Sequence, residues 1–148
     1  MPIVIKNDAI SYEQLSQFKF DNVVISPGPG NPTISKDFGI CSRILKNVNT
    51  PILGVCLGHQ GIASTYCNTS CIQLAPEPFH VRVSEVFHDG DDLFKDIPSP
   101  FKVARYHSLI VQEPFAQSLK KTAWTDDHLT MAITHLDKPI YGVQFHPE

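Results

Sequence analysis

Cys56 stands apart from the other three cysteines of the chain, Cys41, Cys67 and Cys71. It sits in Gly54-Val55-Cys56-Leu57-Gly58, after the apolar run Pro51 to Val55 and before "LGHQGIASTYC", a stretch of helical length. A strand, a glycine-flanked nucleophile and a helix form the context of the nucleophile elbow, G-x-S-x-G, with sulfur in place of oxygen. Glycines at 54 and 58 leave room for a sharp turn and for close approach. Such a turn lifts the thiol to a helix N-terminus, where unpaired N–H groups favour the thiolate. It also aims the Leu57 N–H at the oxyanion that develops when a carbonyl is attacked. A nucleophilic thiol needs a base, and the base an orienting group. The segment "GVQFHPE", residues 142–148, offers both. In extended chain, residues i and i+2 project to one side, so Glu148 can hold one nitrogen of His146 while the other faces Cys56.

Two further segments belong near such a centre. "SPGPGNP", residues 26–32, follows the apolar "DNVVI" and is made almost entirely of turn residues. Gly28 and Gly30 allow a ligand to approach main-chain N–H groups, a second source of oxyanion donors, and ligands of open α/β sheets bind at the carboxyl ends of strands. Gln60 lies one helical turn after Cys56, so its amide is placed to bond a substrate amide or carboxylate. The histidines at 59, 80, 88, 107, 128 and 135 lack an adjacent carboxylate of this kind and read as structural or surface residues.

The elements that must position these groups follow from periodicity. Apolar runs at 3–5, 23–25, 51–55, 81–86, 110–111, 131–133 and 141–145 read as strands. "SKDFGICSRILKN", residues 35–47, has helical spacing with Ser35 as N-cap, and a second helix follows Cys56. Alternating strand and helix in the first half predicts an α/β fold, an open, mostly parallel sheet with helices on both faces, and shorter antiparallel strands or hairpins from Ala75 onward. With 148 residues, 42% of them hydrophobic, one domain over 1–148 is expected.

A formal charge of −3 without charged runs argues against nucleic acid or a polybasic membrane anchor as partner. No apolar stretch has the length of a membrane span and the N-terminal residues lack a signal peptide's pattern. A cytoplasmic location is the expectation, or an organelle if a transit sequence precedes the chain. The cysteines lack paired CxxC spacing, so no metal is expected, and Cys41, Cys67 and Cys71 read as small hydrophobes. "NTS" at 68–70 matches a glycosylation sequon, which carries little weight without a secretory route.

"SPGPGNP", "GVCLGHQ" and "GVQFHPE", in this order, resemble the three signatures of the class I, triad-type glutamine amidotransferases and together span residues 26–148. The resemblance implies a flavodoxin-like fold and a glutaminase without a cofactor: a triad of Cys56, His146 and Glu148, an oxyanion hole from Leu57, Gly28 and Gly30, and glutamine contacts at Gly28, Pro29, Gly30, Gln60, Ser108 and Leu109. Ser108 and Leu109, in "RYHSLIV", are carried over from the resemblance alone. Within the family, "APEPFH", "RVSEVFHDGDDLF", "FKVARYHSLIV" and "AWT" look most like the glutaminase part of aminodeoxychorismate synthase, and next like that of anthranilate synthase. This implies L-glutamine as substrate and a chorismate-binding synthase domain or subunit as partner. The sequence departs from the family at Val81, where glycine is usual, and lacks the usual first strand and closing helix, so the chain reads as a piece of a longer polypeptide. Another elbow-cysteine hydrolase, such as a peptidase or gamma-glutamyl hydrolase, and a catalytically silent module are the alternative readings.

Overall fold

The computed structural model describes residues 1–67 and 71–148, with main chain only at 79 and 80, so the sequon at 68–70 and the His80 side chain lie outside the described residues. Its elements are helix α1 (Tyr12–Leu15), strand β1 (Val23–Ile25), helices α2 (Ser35–Phe38) and α3 (Cys41–Asn47), strand β2 (Ile52–Val55), helix α4 (Leu57–Cys67), then strands β3 (Ile72–His88), β4 (Phe101–Val111), β5 (Leu119–Trp124), β6 (Thr130–His135) and β7 (Ile140–Val143), with a 3-10 turn at Asp92–Phe94. The described strands form one sheet in the order β1-β2-β7-β6-β5-β3-β4. The parallel part expected in the first half is β1-β2-β7. The antiparallel extension supplies the remaining pairings, β7-β6, β6-β5, β5-β3 and β3-β4.

Two apolar clusters lie on opposite faces. Ile25, Ile52, Ile133 and Ile140 pack under Phe38, Leu45 and Ile62 of the helices, and Tyr12 and Leu15 of α1 join them. Val55, Val86, Ala123, Met131 and Val143 pack on the other face with Val103 of β4 and Phe94 of the 3-10 turn. The four α-helices of the described residues thus collect on one face, where helices on both were expected. The long β3–β4 hairpin and the 3-10 turn cover the other, burying its apolar side chains in their place.

Three local expectations are corrected. Ile3, Val4 and Ile5 form no strand and are exposed. They find no strand partner: β1, the edge strand nearest in order, bonds only to β2 among the described residues. The helix expected over 35–47 is two helices, because Gly39 takes φ +54°, and a Cβ there would lie 2.3 Å from the Asn7 carbonyl oxygen. Ser35 is accordingly the first helical residue of α2, with Ile34 at the N-cap and no side-chain cap bond. One helix was not expected: α1, a single turn closed by a capping box in which Ser11 accepts from the Gln14 N–H and Gln14 from the Ser11 N–H.

Candidate active site

Cys56 joins β2 to α4 with φ +52°, a strained conformation for a residue with a side chain. Two main-chain bonds hold it there: its N–H donates to the Val143 carbonyl at 2.8 Å, and its carbonyl accepts from the Gln60 N–H at 3.0 Å. The flanking glycines are a steric requirement of this turn. A Cβ on Gly54 would lie 2.5 Å from the Gly58 carbonyl carbon, and one on Gly58 would lie 2.3 Å from the Ile25 carbonyl oxygen. The first turn of α4 therefore sits directly on the ends of β1 and β2, and the strand–turn–helix expected around the thiol is present.

Cys56 is 8% exposed. Burial pushes the pKa of its thiol up, the Leu57 N–H and the Gln144 amide pull it down, and the carboxylate of Glu148 raises it. Sγ lies 3.7 Å from the Tyr106 carbonyl oxygen, to which the thiol donates, and 3.7 Å from Gln144 Nε2, from which it accepts. His146 and Glu148 follow β7, the strand paired with β2. The His146 N–H donates to the Ala104 carbonyl at 3.0 Å, and its Nδ1 lies 3.1 Å from Glu148 Oε1, as the i, i+2 spacing predicts. The carboxyl of Glu148 is held below its ordinary range by its own main chain first and by the His146 ring second. His146 Nε2 is enclosed and has no hydrogen-bond partner among the described residues, and the thiol donates to the Tyr106 carbonyl.

The remaining expected residues are distributed around this centre. Gly28 packs against the elbow, since a Cβ there would lie 3.2 Å from Leu57 Cδ2. Gly28, Pro29 and Gly30 are exposed, and the loop is tied down by Asp37, whose Oδ2 accepts from the Asn31 N–H at 2.9 Å. Ser108 is exposed and Leu109 half-buried on β4. Gln60 is only 3% exposed, and its Nε2 is committed to the Leu109 carbonyl at 3.0 Å and to Gln144 Oε1 at 3.1 Å. The amide expected to reach toward substrate thus braces α4 against β4 and β7.

Sequence reasoning assigned no role to Gln144 or to the main chain of Tyr106, although both touch the sulfur. In the sequence Gln144 is only a glutamine within the apolar "YGVQFH", and its full burial is visible in the structure alone. A main-chain carbonyl has none. His107, read as structural, lies in the wall of the site: Nδ1 is 2.9 Å from the Leu109 carbonyl and Nε2 accepts from Arg105 Nε at 3.2 Å. Burial drives its pKa down to about 4. Among the described residues no cluster of His, Cys, Asp and Glu could hold a metal ion, and no helix is long and apolar enough to cross a membrane. An open cleft of about 460 Å³, bordered by Glu77, Arg82, Ser84, Arg105 and Asp127, includes neither Cys56 nor His146.

The family described as Glutamine amidotransferase class-I matches residues 2–148. An aminodeoxychorismate synthase of Streptomyces griseus is 49% identical over 99% of this chain and 20% of its own length. Anthranilate synthase component 2 of Methanothermobacter thermautotrophicus is 43% identical over 99% of this chain and 74% of its own. The chain therefore spans about a fifth of the length of the synthase relative that it matches at the higher identity. A solved glutamine amidotransferase of Thermotoga maritima superposes with a TM-score of 0.71 at 18% identity, covering 86% of this chain and 56% of that one, a likeness of fold. With its elbow cysteine and its His-x-Glu pair just beyond the ends of neighbouring strands, the chain belongs to the class I glutamine amidotransferases.

Proposed function

We propose that this domain hydrolyses the side-chain amide of glutamine through a thioester on Cys56 and supplies the ammonia to a chorismate-using synthase, most closely of the aminodeoxychorismate type. The observation that carries the reading is the strained elbow cysteine at the end of β2 beside the hydrogen-bonded His146–Glu148 pair at the end of β7. Cys56 Sγ gives its proton to His146 Nε2 and bonds to the amide carbon of glutamine. The oxyanion faces the Leu57 N–H and the main chain at Gly28 and Gly30. Collapse of the intermediate expels ammonia with the proton held by His146. Water, deprotonated by the same imidazole, then attacks the thioester and releases glutamate. Glu148 orients the ring and stabilises its cation. The loop at Gly28, Pro29 and Gly30 and the β4 segment at Ser108 and Leu109 border the glutamine, with Gln60 behind them.

The identity of 49% to an aminodeoxychorismate synthase favours that synthase as the acceptor site. The 43% relative, named for anthranilate synthase, supports that enzyme as the second reading. Both are tested on the full-length protein incubated with chorismate and glutamine, with the product identified by mass. Aminodeoxychorismate is expected; anthranilate transfers the assignment to the second reading, and hydrolysis of glutamyl peptides in place of free glutamine overturns both. A diazo-ketone analogue of glutamine should label Cys56 and none of Cys41, Cys67 and Cys71. Cys56→Ala should lose about 10⁴-fold or more of glutamine hydrolysis while amination driven by added ammonium persists.

A further inference from the structure

Gln144 is fully buried at the foot of the elbow, and nothing in the reaction so far uses it. Its surroundings leave its amide one orientation. The Leu109 carbonyl can only accept, so the Gln60 atom 3.0 Å from it is the NH2 nitrogen, and the His107 Nδ1 at 2.9 Å carries a hydrogen. The same Gln60 nitrogen lies 3.1 Å from the Gln144 side chain, so the Gln144 atom facing it is the oxygen. The other end of that amide, the NH2, then points at Cys56 Sγ, 3.7 Å away. Behind His107 the chain is anchored by Arg105, a group that only donates, whose Nη1 bonds Ser84 Oγ at 3.1 Å.

We infer that Gln144 is a positioning residue for Cys56: the Leu109 carbonyl, acting through Gln60, fixes its amide so that a hydrogen-bond donor always faces the sulfur. A donor there stabilises the thiolate over the thiol. The opposite contact, the Tyr106 carbonyl, serves only the protonated thiol and is lost when the proton moves to His146. Gln144 therefore holds the sulfur in both protonation states. Of the charged groups Glu148, after β7, reaches the sulfur; His107 on β4 faces Arg105 of the same strand, His146 after β7 and buried His59 on α4. Among the described residues the amide of Gln144 and the Leu57 N–H are the donors that act directly on the sulfur.

The role rests on Cys56 being the nucleophile, and its test is separable from that reading. In the full-length protein, the rate of Cys56 alkylation by iodoacetamide is followed against pH by peptide mass. Gln144→Met, which keeps the volume and removes the donor, is expected to raise the titration midpoint by about one pH unit, about tenfold slower labelling at neutral pH. Gln144→Glu, which sets a carboxylate against the sulfur, should raise it further. Gln60→Met, which frees the Gln144 amide to turn, should slow labelling by about threefold. A purely structural Gln144 would lower the unfolding temperature of Gln144→Met and leave the midpoint in place, which overturns the inference. If Gln144→Met does not fold, Gln60→Met decides: a midpoint equal to wild type overturns it. Wild-type protein that labels readily but does not hydrolyse glutamine would instead overturn the glutaminase reading and leave the role of Gln144 standing.

Discussion

Strands β1, β2 and β7 pair in parallel without a break in register, and each meets the helical layer through close contacts that admit no change in volume. Strands β3 and β4 pair over a longer span with two register shifts, one between Leu74 and Phe79 and one before Arg82. Leu74, Val81, Val83 and Tyr106 of that hairpin are exposed, and Val81 stands at φ +28°, in the region that favours glycine. The parallel part presents the sulfur on a rigid seat. The hairpin brings carbonyls to the centre across a more irregular surface. A site built this way takes its precision from one region and its walls from the other.

Exchanging a glycine of the rigid seat for alanine should have the largest effect of any single methyl group. In Gly58→Ala the Ile25 carbonyl must give way to a Cβ placed 2.3 Å from it, so α4 shifts and carries Cys56 with it. A loss of about 1–3 kcal/mol or more in urea unfolding is expected, with at least a hundredfold loss of glutamine hydrolysis. Leu74→Ser on the exposed hairpin should stay within about 0.5 kcal/mol of wild type. Equal effects at the two positions would erase the contrast between the regions.

Acid sharpens the comparison, because each region buries one histidine in its neutral form. Burial lowers the pKa of His59 on α4 to about 3 and that of His107 on β4 to about 4, from an ordinary value near 6.5. Between those values and 6.5 the unfolded chain binds more protons than the folded one, so stability rises with pH and is lost on acidification. Urea titrations at pH 7 and pH 5 should show this fall, with His59→Leu and His107→Leu each removing its own share of the slope. Stability that increases on acidification would show that neither ring is buried neutral.

The smallest expected effect lies in the hairpin. Val81 adopts a positive φ that costs a β-branched residue about 1–2 kcal/mol, partly offset by the greater unfolded-state freedom of glycine. Val81→Gly should therefore raise the urea midpoint by an amount equivalent to about 0.5–1 kcal/mol. A lowered midpoint would mean that the bulge depends on the valine.

The contrast also explains what could be read beforehand. Strands β1, β2 and β7 are short apolar runs closed by glycine or proline, and the chemistry at Cys56, His146 and Glu148 shows in residue types and spacing. The second half was harder. β5 carries Lys120 and Lys121 between buried Leu119 and buried Thr122 and Ala123, so its apolar content was too low to mark a strand. Of β3 only the stretch 81–86 and of β4 only 110–111 stood out, because their remaining strand residues alternate with exposed polar ones and pass through bulges. The Ile3–Ile5 run had the composition of a strand without a partner to pair with. Around the sulfur, the legible groups were side chains with a chemical signature. Gln144 was hidden because a buried amide looks like any other glutamine, and its meaning depends on Leu109, 35 positions away in sequence.

Three carbonyls of β4, those of Ala104, Tyr106 and Leu109, meet His146, Cys56 and Gln60. All three belong to the peptide backbone, so a change of side chain at those positions does not by itself remove these three contacts. Insertions and deletions are another matter. Removing one residue between Ala104 and Leu109 would turn the strand over and present N–H groups where carbonyls now stand, setting donors against donors at the amide of Gln60. The lineage of such a site is therefore expected to tolerate drift in the letters of this strand and to preserve its length, a constraint that a count of identical residues does not register.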